Sequence, residues 1–319
     1  MTRRRSLLIS GCLSLAPLLS SAQKLKRPFH IGFLAAEPDE LLRHTLSSLG
    51  YFEARDIVWE FRNTRGRPEL IDEFAQELAR LKVDVIVAAY PAAALAAGRA
   101  TKTIPIVMMN TPDPVDLGLV DSLTSPGGNV TGVTTLSVEV SIKQLELLKE
   151  GVPRAVRIAM LWNPDNPWHP VTVKGLQAHS ANLGVQLQVL EIRGPDDFER
   201  AFGAMASSRA QAALLLADPM TFVQRSALAE FARSRGLPMM GSLREYAESG
   251  CLLSYWADRT DISVRSASYV DRILRGVRVR DLPIEQPTRY EFIANLRTAR
   301  ALSINLPQSI LLRVDRLIE

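Results

Sequence analysis

Short apolar runs alternate with amphipathic stretches along the chain from residue 29 onward. In the first half, runs of strand length fall at residues 29–34, 57–61, 83–89 and 104–109, and helical stretches fall at 41–49, 68–81 and 91–100. The stretch at 68–81 places Leu70, Phe74 and Leu78 on one stripe, which is the spacing of a helix with one buried face. This alternation predicts a parallel β-sheet with helices on both faces.

The second half repeats the same alternation. Its predicted strands are 157–161, 186–192, 212–217, 239–241 and 252–255, and its predicted helices are 141–149, 171–183, 195–207, 222–235 and 242–248. A further helix is predicted at 262–276. The expected fold class is therefore α/β, with two doubly wound parallel-sheet lobes and a cleft between the carboxyl ends of their strands. A length of 319 residues fits about two domains.

The first 22 residues have the pattern of an export signal peptide. Arginines at 3–5 precede an apolar run at 7–19, and small residues follow at 20–22. The apolar run is shorter than the ~20 residues of a membrane-spanning helix. We therefore expect cleavage near Ala22 and a periplasmic protein. Two questions stay open: general or twin-arginine export, and whether Cys12 is a lipid-anchoring cysteine or part of the apolar run.

Charge and motifs exclude several classes of function. Three of the net +4 charges lie on the arginines at 3–5, so we expect no nucleic-acid partner. The four histidines are scattered without metal-ligand spacing, and the Walker, Rossmann and Gly-x-Ser-x-Gly motifs are absent. Cys251 is alone once the signal is removed, so no intramolecular disulfide is expected. We expect no metal, no cofactor and no enzyme activity.

The segment at 104–132 is the most specific part of the sequence. A strand-like run at 104–109 leads into the polar loop Asn110-Thr111-Pro112-Asp113-Pro114, and the turn Pro126-Gly127-Gly128-Asn129 precedes a β-like run at 130–135. This segment resembles the signature of the substrate-binding proteins of ABC importers, a family that includes tryptophan-binding members. Further matches, in order, are Ile31-Gly32-Phe33-Leu34, Gly50-Tyr51, Asn163-Pro164, Asn166-Pro167, Asp218-Pro219, Ser254-Tyr255 and the segment 282–287.

The resemblance extends from about residue 29 to 319 and implies the type I periplasmic binding protein fold. It implies a first lobe at 28–134 with a returning segment at 259–284, a second lobe at 135–258, and a tail at 285–319 whose lobe stays open. The implied function is to capture a small molecule, with amino acids and aromatic ones among them as candidates, by hinge closure. The implied partners are this solute and ABC permease subunits in the membrane, and a monomer is expected.

The loops at the strand ends supply the candidate ligand-binding residues. An amino acid needs hydrogen-bond donors for its carboxylate, a carboxylate for its ammonium group and an apolar slot for its side chain. We expect Asp218 to bind the ammonium group, although capping of the following helix is an equal alternative. Tyr90, Tyr246, Tyr255 and Trp256 are candidates for an aromatic slot. The full set of candidates is Ala36, Tyr90, Pro91, Ala92, Asn110, Thr111, Asp113, Asn163, Asn166, Asp218, Tyr246, Tyr255 and Trp256.

Two departures from the family pattern fall in candidate loops. Relatives often carry a Gly- or Thr-rich turn where this chain has Ala88-Ala89-Tyr90, and Gly-Pro where it has Trp256-Ala257. The identity of the solute therefore does not follow from the resemblance. Two other classes of protein are alternatives: a ligand-sensing module related to two-lobed repressors, and an enzyme on this scaffold.

Overall fold

The computed structural model describes residues 27–319. The predicted export signal at 1–22, with Cys12 and the cleavage point near Ala22, lies outside the described residues. No helix within residues 27–319 is both long and apolar enough to cross a bilayer.

The first lobe contains a five-stranded sheet in the order β2-β1-β3-β4-β5, and every pair of neighbouring strands is parallel. Its strands are β1 (Phe29–Ala35), β2 (Ile57–Asn63), β3 (Val85–Ala88), β4 (Ile106–Met108) and β5 (Val130–Gly132). The helices that alternate with them are α1 (Glu40–Ser48), α2 (Ile71–Leu81) and α3 (Pro91–Ala100). Pro91 opens α3 at a position where a helix needs no N–H donor.

The second lobe contains a sheet whose order is β12-β11-β10-β9-β8-β6-β7. Its parallel part comprises β6 (Arg157–Trp162), β7 (Gln186–Glu191), β8 (Ala212–Leu215), β9 (Met239–Gly241) and β10 (Leu253–Ala257). The helices along this part of the chain are α4 (Ser137–Gly151), α5 (His169–Ser180), α6 (Phe198–Ser207), α7 (Pro219–Val223), α8 (Arg225–Ser234) and α9 (Arg244–Glu248). The fold is therefore α/β with two lobes, as the alternation predicts.

The chain returns to the first lobe after β10. Helix α10 (Arg259–Leu274) packs against α1, and its buried Tyr269 and Val270 belong to the same apolar cluster as Ile31 and Leu42. The chain then adds β11 (Tyr290–Asn295), α11 (Leu296–Ala301), α12 (Gln308–Leu311) and β12 (Arg316–Ile318). Strand β11 runs antiparallel to β10, so the second sheet is mixed and not purely parallel as expected.

Two helices differ from their predicted extents for physical reasons. The prediction of one helix at 222–235 is wrong, because Asp218 caps a short α7 and the chain breaks at Gln224 before α8 begins. Helix α4 begins at Ser137, earlier than predicted, and the buried residues near its start include the polar Ser137, Ser141 and Gln144. Apolar periodicity does not reveal the start of a helix where most of the buried residues are polar.

Each sheet is covered on both faces by apolar clusters. In the first lobe, α1 and α10 pack on one face and α2 and α3 on the other; in the second lobe, α4 and α5 pack on one face and α6 and α8 on the other. Three chain segments connect the lobes, one through Thr134, one through Asp258 and one through residues 285–289, and they lie side by side. The N–H of Thr134 donates to Glu285 O over 2.9 Å, and the N–H of Asp258 donates to Arg289 O over 2.9 Å. The lobes are therefore joined along one edge of the cleft.

Candidate ligand-binding site

A cavity of about 280 Å³ lies between the two lobes. Its volume is slightly below the ~300–1,000 Å³ typical of small-molecule sites. The first lobe contributes the loops that follow β1, β3 and β4, and the second lobe contributes the loops that follow β6 and β8 together with α9. These are the carboxyl ends of the strands, where open α/β sheets bind ligands.

Eight of the thirteen candidate residues line this cavity. They are Ala36, Tyr90, Pro91, Asn110, Asn166, Asp218, Tyr246 and Trp256. They come from seven separate segments of the chain, and the fold brings them to one place.

Asp218 both caps a helix and faces the cavity. Its Oδ1 accepts a hydrogen bond from Met220 N–H over 2.8 Å at the start of α7. Its Oδ2 accepts from the side-chain amide of Asn166 over 2.9 Å and from that of Asn163 over 3.2 Å. All three donors are neutral amide groups, so no cation compensates the charge in these contacts, although Asp218 is only 6% exposed. A buried carboxylate of this kind favours a cationic group next to it.

His169 positions the loops around Asp218 and does not line the cavity. With the proton on Nε2, the imidazole donates to Ala217 O over 3.0 Å, and Nδ1 accepts from Asn163 N–H over 3.1 Å. This histidine therefore connects the carboxyl ends of β6 and β8. Burial lowers the pKa of His169 below its ordinary value of 6.5, despite the opposing effect of nearby Asp218.

Tyr90 brings an aromatic ring from the first lobe into the cavity. It occupies the N-cap position of α3 in an extended conformation, and its Oη lies 3.0 Å from Thr64 Oγ1. Burial raises the pKa of Tyr90 to about 12, and the Asp218 charge adds to that shift. The ring therefore stays neutral across the physiological range and offers a hydroxyl group.

Several buried polar atoms in the lining have no hydrogen-bond partner. They are Asn110 Oδ1, Thr135 Oγ1, Ser137 Oγ, Asn166 Oδ1, Glu245 Oε2, Trp256 Nε1 and Ser263 Oγ. More than nine in ten buried polar groups in proteins are paired, and an unpaired one costs ~1–3 kcal/mol. Because these atoms are concentrated in one cavity, a bound polar molecule can supply the hydrogen bonds that they lack.

Aromatic and aliphatic side chains complete the lining. Trp168 and Trp256 line the cavity and are 7% and 4% exposed, and both belong to the apolar cluster that includes residues of β1, α1 and α10. The other apolar lining residues are Phe33, Met109, Phe222, Leu243 and Ile262. An apolar slot therefore lies beside the polar groups.

Five candidate residues do not line the cavity: Ala92, Thr111, Asp113, Asn163 and Tyr255. Tyr255 alternates with Trp256 along β10, so its ring lies on the opposite face, stacked on Tyr290 at 5.7 Å. Asp113 lies in an exposed loop with a φ of +42°, and Asn163 lies behind Asp218.

The other two residues of that group lie in the first lobe. Thr111 is fully buried within the loop that follows β4. Ala92 packs against the apolar cluster beneath α3.

Five ionic residues that line the cavity are missing from the candidate set: Glu37, Asp39, Arg225, Glu245 and Arg259. Arg259, at the first turn of α10, donates to Asp39 Oδ2 over 2.7 Å and also contacts Glu245 Oε1. The two carboxylates raise the pKa of Arg259 although its burial alone would lower it. The sequence carries one signal for Arg259, since it directly follows the aspartate that caps α10. A cation is unfavourable in the first turn of a helix unless another partner compensates it, so an arginine at this position indicates an acidic partner elsewhere in the fold.

The described residues contain no group of three or more His, Cys, Asp or Glu arranged to bind a metal ion. Cys251 is buried, and burial raises the pKa of its thiol to about 12. That thiol is therefore a poor nucleophile at neutral pH.

Comparisons with known proteins agree with this architecture. A tyrosine-binding protein of Clostridioides difficile (strain R20291) is 26% identical over 260 residues, which cover 81% of this chain and 74% of that protein. A conserved domain protein of Vibrio cholerae superimposes with a TM-score of 0.84 at 26% identity, covering 91% of this chain and all of that one. A domain of Streptococcus pneumonia in complex with L-Trp superimposes with a TM-score of 0.83 at 23% identity, with 91% and 100% coverage, and shares the fold.

Residues 40–318 match the family model described as ABC transporter substrate binding protein. This match covers most of the chain and confirms the resemblance seen in the sequence. The chain belongs to the family of ABC transporter substrate-binding proteins.

Proposed function

We propose that this protein binds an amino acid with an aromatic or large apolar side chain between its lobes and delivers it to an ABC permease. We also propose that it does so after export to the periplasm. The observation that carries the proposal is one cavity in which an uncompensated carboxylate, unpaired polar atoms and aromatic rings meet. The tyrosine-binding relative and the neighbour with bound L-Trp support this class of solute.

The lining suggests an orientation for the solute. The ammonium group would bind at Asp218, where a charge-assisted hydrogen bond compensates the buried carboxylate. The carboxylate would accept hydrogen bonds from the hydroxyl groups of Thr135 and Ser137, which have no other partner. The side chain would pack against the rings of Trp168 and Trp256.

The mechanism would be hinge closure about the three connecting segments. A solute that touches both lobes stabilises the closed form by the contacts that it makes only there. A dissociation constant of ~1 μM corresponds to about −8 kcal/mol, which a few charge-assisted hydrogen bonds and one buried ring can supply. No proton transfer or covalent step is required.

A thermal-shift screen with all twenty L-amino acids tests the proposal. A solute at 100 times its dissociation constant stabilises the folded state by about 2.7 kcal/mol, so the melting temperature should rise by several degrees. We expect tyrosine, tryptophan or phenylalanine to give the largest rise and aspartate and glutamate to give none. Native mass spectrometry of the purified protein would identify a molecule that co-purifies. The absence of any shift would contradict the assignment of amino acids as solutes.

Export and delivery need separate measurements. Fractionation of the native cells followed by N-terminal sequencing should find a periplasmic protein that begins near Gln23. A cytosolic, uncleaved protein would contradict the export proposal and favour the ligand-sensing alternative.

A further inference from the structure

The two lobes touch directly at the mouth of the cleft, away from the segments that connect them. On the first lobe, the contact is made by the loop at 64–66, which follows β2. Strand β2 lies at the opposite edge of the sheet from β5, after which the chain first crosses to the second lobe. On the second lobe, the partner is the short helix α7, which Asp218 caps. We call this contact, together with the Arg225–Glu37 ion pair described below, the mouth contact.

Gly66 makes the backbone part of the mouth contact. Its φ is +74°, and a Cβ atom placed on it would lie 3.0 Å from Met220 Cα and 3.3 Å from Pro219 O. These neighbours are backbone atoms of the other lobe, so they cannot rotate out of the way as a side chain can. A side chain at position 66 therefore conflicts with this approach of the lobes.

An ion pair adds an electrostatic part to the mouth contact. Arg225, at the start of α8, lies 3.5 Å from the Glu37 carboxylate in the loop that follows β1. Its guanidinium also donates to Phe222 O over 2.6 Å and lies 4.5 Å from the centre of the Phe222 ring. Phe222 lines the cavity, so the segment that covers the solute site also carries the ion pair across the cleft.

We propose that Gly66 and the Arg225–Glu37 pair set solute affinity by stabilising the closed form. Gly66 does not line the cavity, so it acts as a positioning residue. This inference rests on the hinge closure proposed above and extends it, because contacts between the lobes favour closure without any help from the solute. The free protein should therefore populate the closed form, and the solute should select and trap it.

Gly66→Asn tests the backbone contact, with Gly118→Asn as the matched control. Gly118 is in the same lobe at a φ of +66°, and no atom lies within 4 Å of its Cβ position. Asparagine tolerates positive φ better than other side chains, so both variants carry similar backbone strain and only Gly66→Asn introduces a collision across the cleft. Small-angle scattering of the solute-free proteins should show a larger radius of gyration for Gly66→Asn than for Gly118→Asn and wild type.

The same variants should differ in affinity for L-tyrosine and L-tryptophan, measured by titration calorimetry. We expect the dissociation constant to rise about tenfold in Gly66→Asn and less than about twofold in Gly118→Asn. If neither amino acid binds the wild-type protein, the amino acid assignment fails. The scattering comparison still tests whether the mouth contact stabilises the closed form. Identical scattering from all three proteins would overturn the inference.

Glu37→Gln tests the ion pair independently, which also covers the case that Gly66→Asn does not fold. Its control is Glu150→Gln, which removes a pair of 2.7 Å with Arg313 inside the second lobe. We expect Glu37→Gln to expand the solute-free protein at low salt and to match wild type at about 0.5 M salt, where exposed ion pairs are screened. Glu150→Gln should not change the scattering at either salt concentration. An unchanged radius in Glu37→Gln at low salt would contradict the electrostatic part.

Discussion

Two groups of polar residues in the cavity differ in how completely they are hydrogen-bonded. The Asp218 network, formed by Asp218, His169, Asn163 and Asn166, leaves only Asn166 Oδ1 without a partner. The unpaired set, formed by Asn110, Thr135, Ser137 and Ser263, has one buried atom without a partner on every residue. Both groups line or support the same cavity.

This difference indicates a division of roles. The Asp218 network is fixed by its own hydrogen bonds, so its carboxylate is preorganised and should cost little to orient when a solute binds. The unpaired set carries the cost of buried polar atoms that only a bound molecule can relieve. Substitutions in the network should therefore reduce both stability and affinity, whereas substitutions in the unpaired set should reduce affinity alone.

The largest effect is expected for Asp218→Asn. Asparagine still caps α7, but it cannot compensate an ammonium group, so solute affinity should fall about a hundredfold, as for the loss of one partner of a buried charge pair. Titration calorimetry with the solute found in the thermal-shift screen measures the change. Asp258→Asn is the control, because Asp258 caps α10 through Thr260 N–H in the same way and does not line the cavity. Equal losses in both variants would contradict a role for the Asp218 charge.

His169→Leu should destabilise the protein by about 2–4 kcal/mol, because Ala217 O and Asn163 N–H lose their buried partner. Urea denaturation measures this, and the exposed His44→Leu should change the free energy of unfolding by less than about 0.5 kcal/mol. Affinity should fall as well, since the loops around Asp218 lose their connection. A stable variant with unchanged affinity would show that the network is not preorganised by His169.

The lowered pKa of His169 predicts that the stability of the protein depends on pH. Burial lowers the pKa of His169 in the folded protein below 6.5, so well above pH 6.5 the imidazole is neutral in both the folded and unfolded chain. As the pH falls below 6.5, the unfolded chain binds a proton that the folded chain does not, and the free energy of unfolding decreases until the lowered pKa is reached. The slope of melting temperature against pH in this range should be smaller in His169→Leu than in wild type. Equal slopes would assign the dependence to other groups.

A smaller effect, on affinity alone, is expected for Thr135→Val. The hydroxyl of Thr135 is buried without a partner, so its removal should leave the melting temperature unchanged or raise it, while solute affinity falls about fivefold to tenfold. Thr131→Val is the opposite case, because Thr131 Oγ1 donates to Leu282 O over 2.8 Å and does not line the cavity. That control should lose about 1 kcal/mol of stability and keep its affinity. A destabilised Thr135→Val with normal affinity would remove the distinction between the two groups.

The smallest effect is expected for Tyr90→Phe. The ring still fills the cavity wall, and only the contact between Tyr90 Oη and Thr64 Oγ1 is lost. Affinity should fall about twofold to threefold, with a change in stability below about 1 kcal/mol. Tyr51→Phe, which loses a 2.8 Å bond to Asp271 outside the cavity, should not alter affinity. A loss above tenfold in Tyr90→Phe would mean that the hydroxyl binds the solute directly.

Local signals in the sequence were sufficient for most of the fold. Apolar runs of strand length predicted β1, β3, β6 and β8 because buried parallel strands need continuous apolar residues. Apolar periodicity does not show the start of α4, where most of the buried residues are polar, and it does not show the break at Gln224 between the short α7 and α8. The antiparallel direction of β11 follows from a return of the chain between lobes, which no local pattern encodes.

The sequence by itself determined the α/β alternation, the family and the short loops that end the strands, because each depends on residues close together in the chain. Only the tertiary structure decided which of those loop residues meet. It placed the side chains of Trp256 and its neighbour Tyr255 on opposite faces of a strand, and it brought Arg259 to Asp39 and Gly66 to Met220 although each pair is more than 150 residues apart in the chain. Such contacts depend on how two separate sheets close on each other, and nothing local in the sequence fixes that geometry.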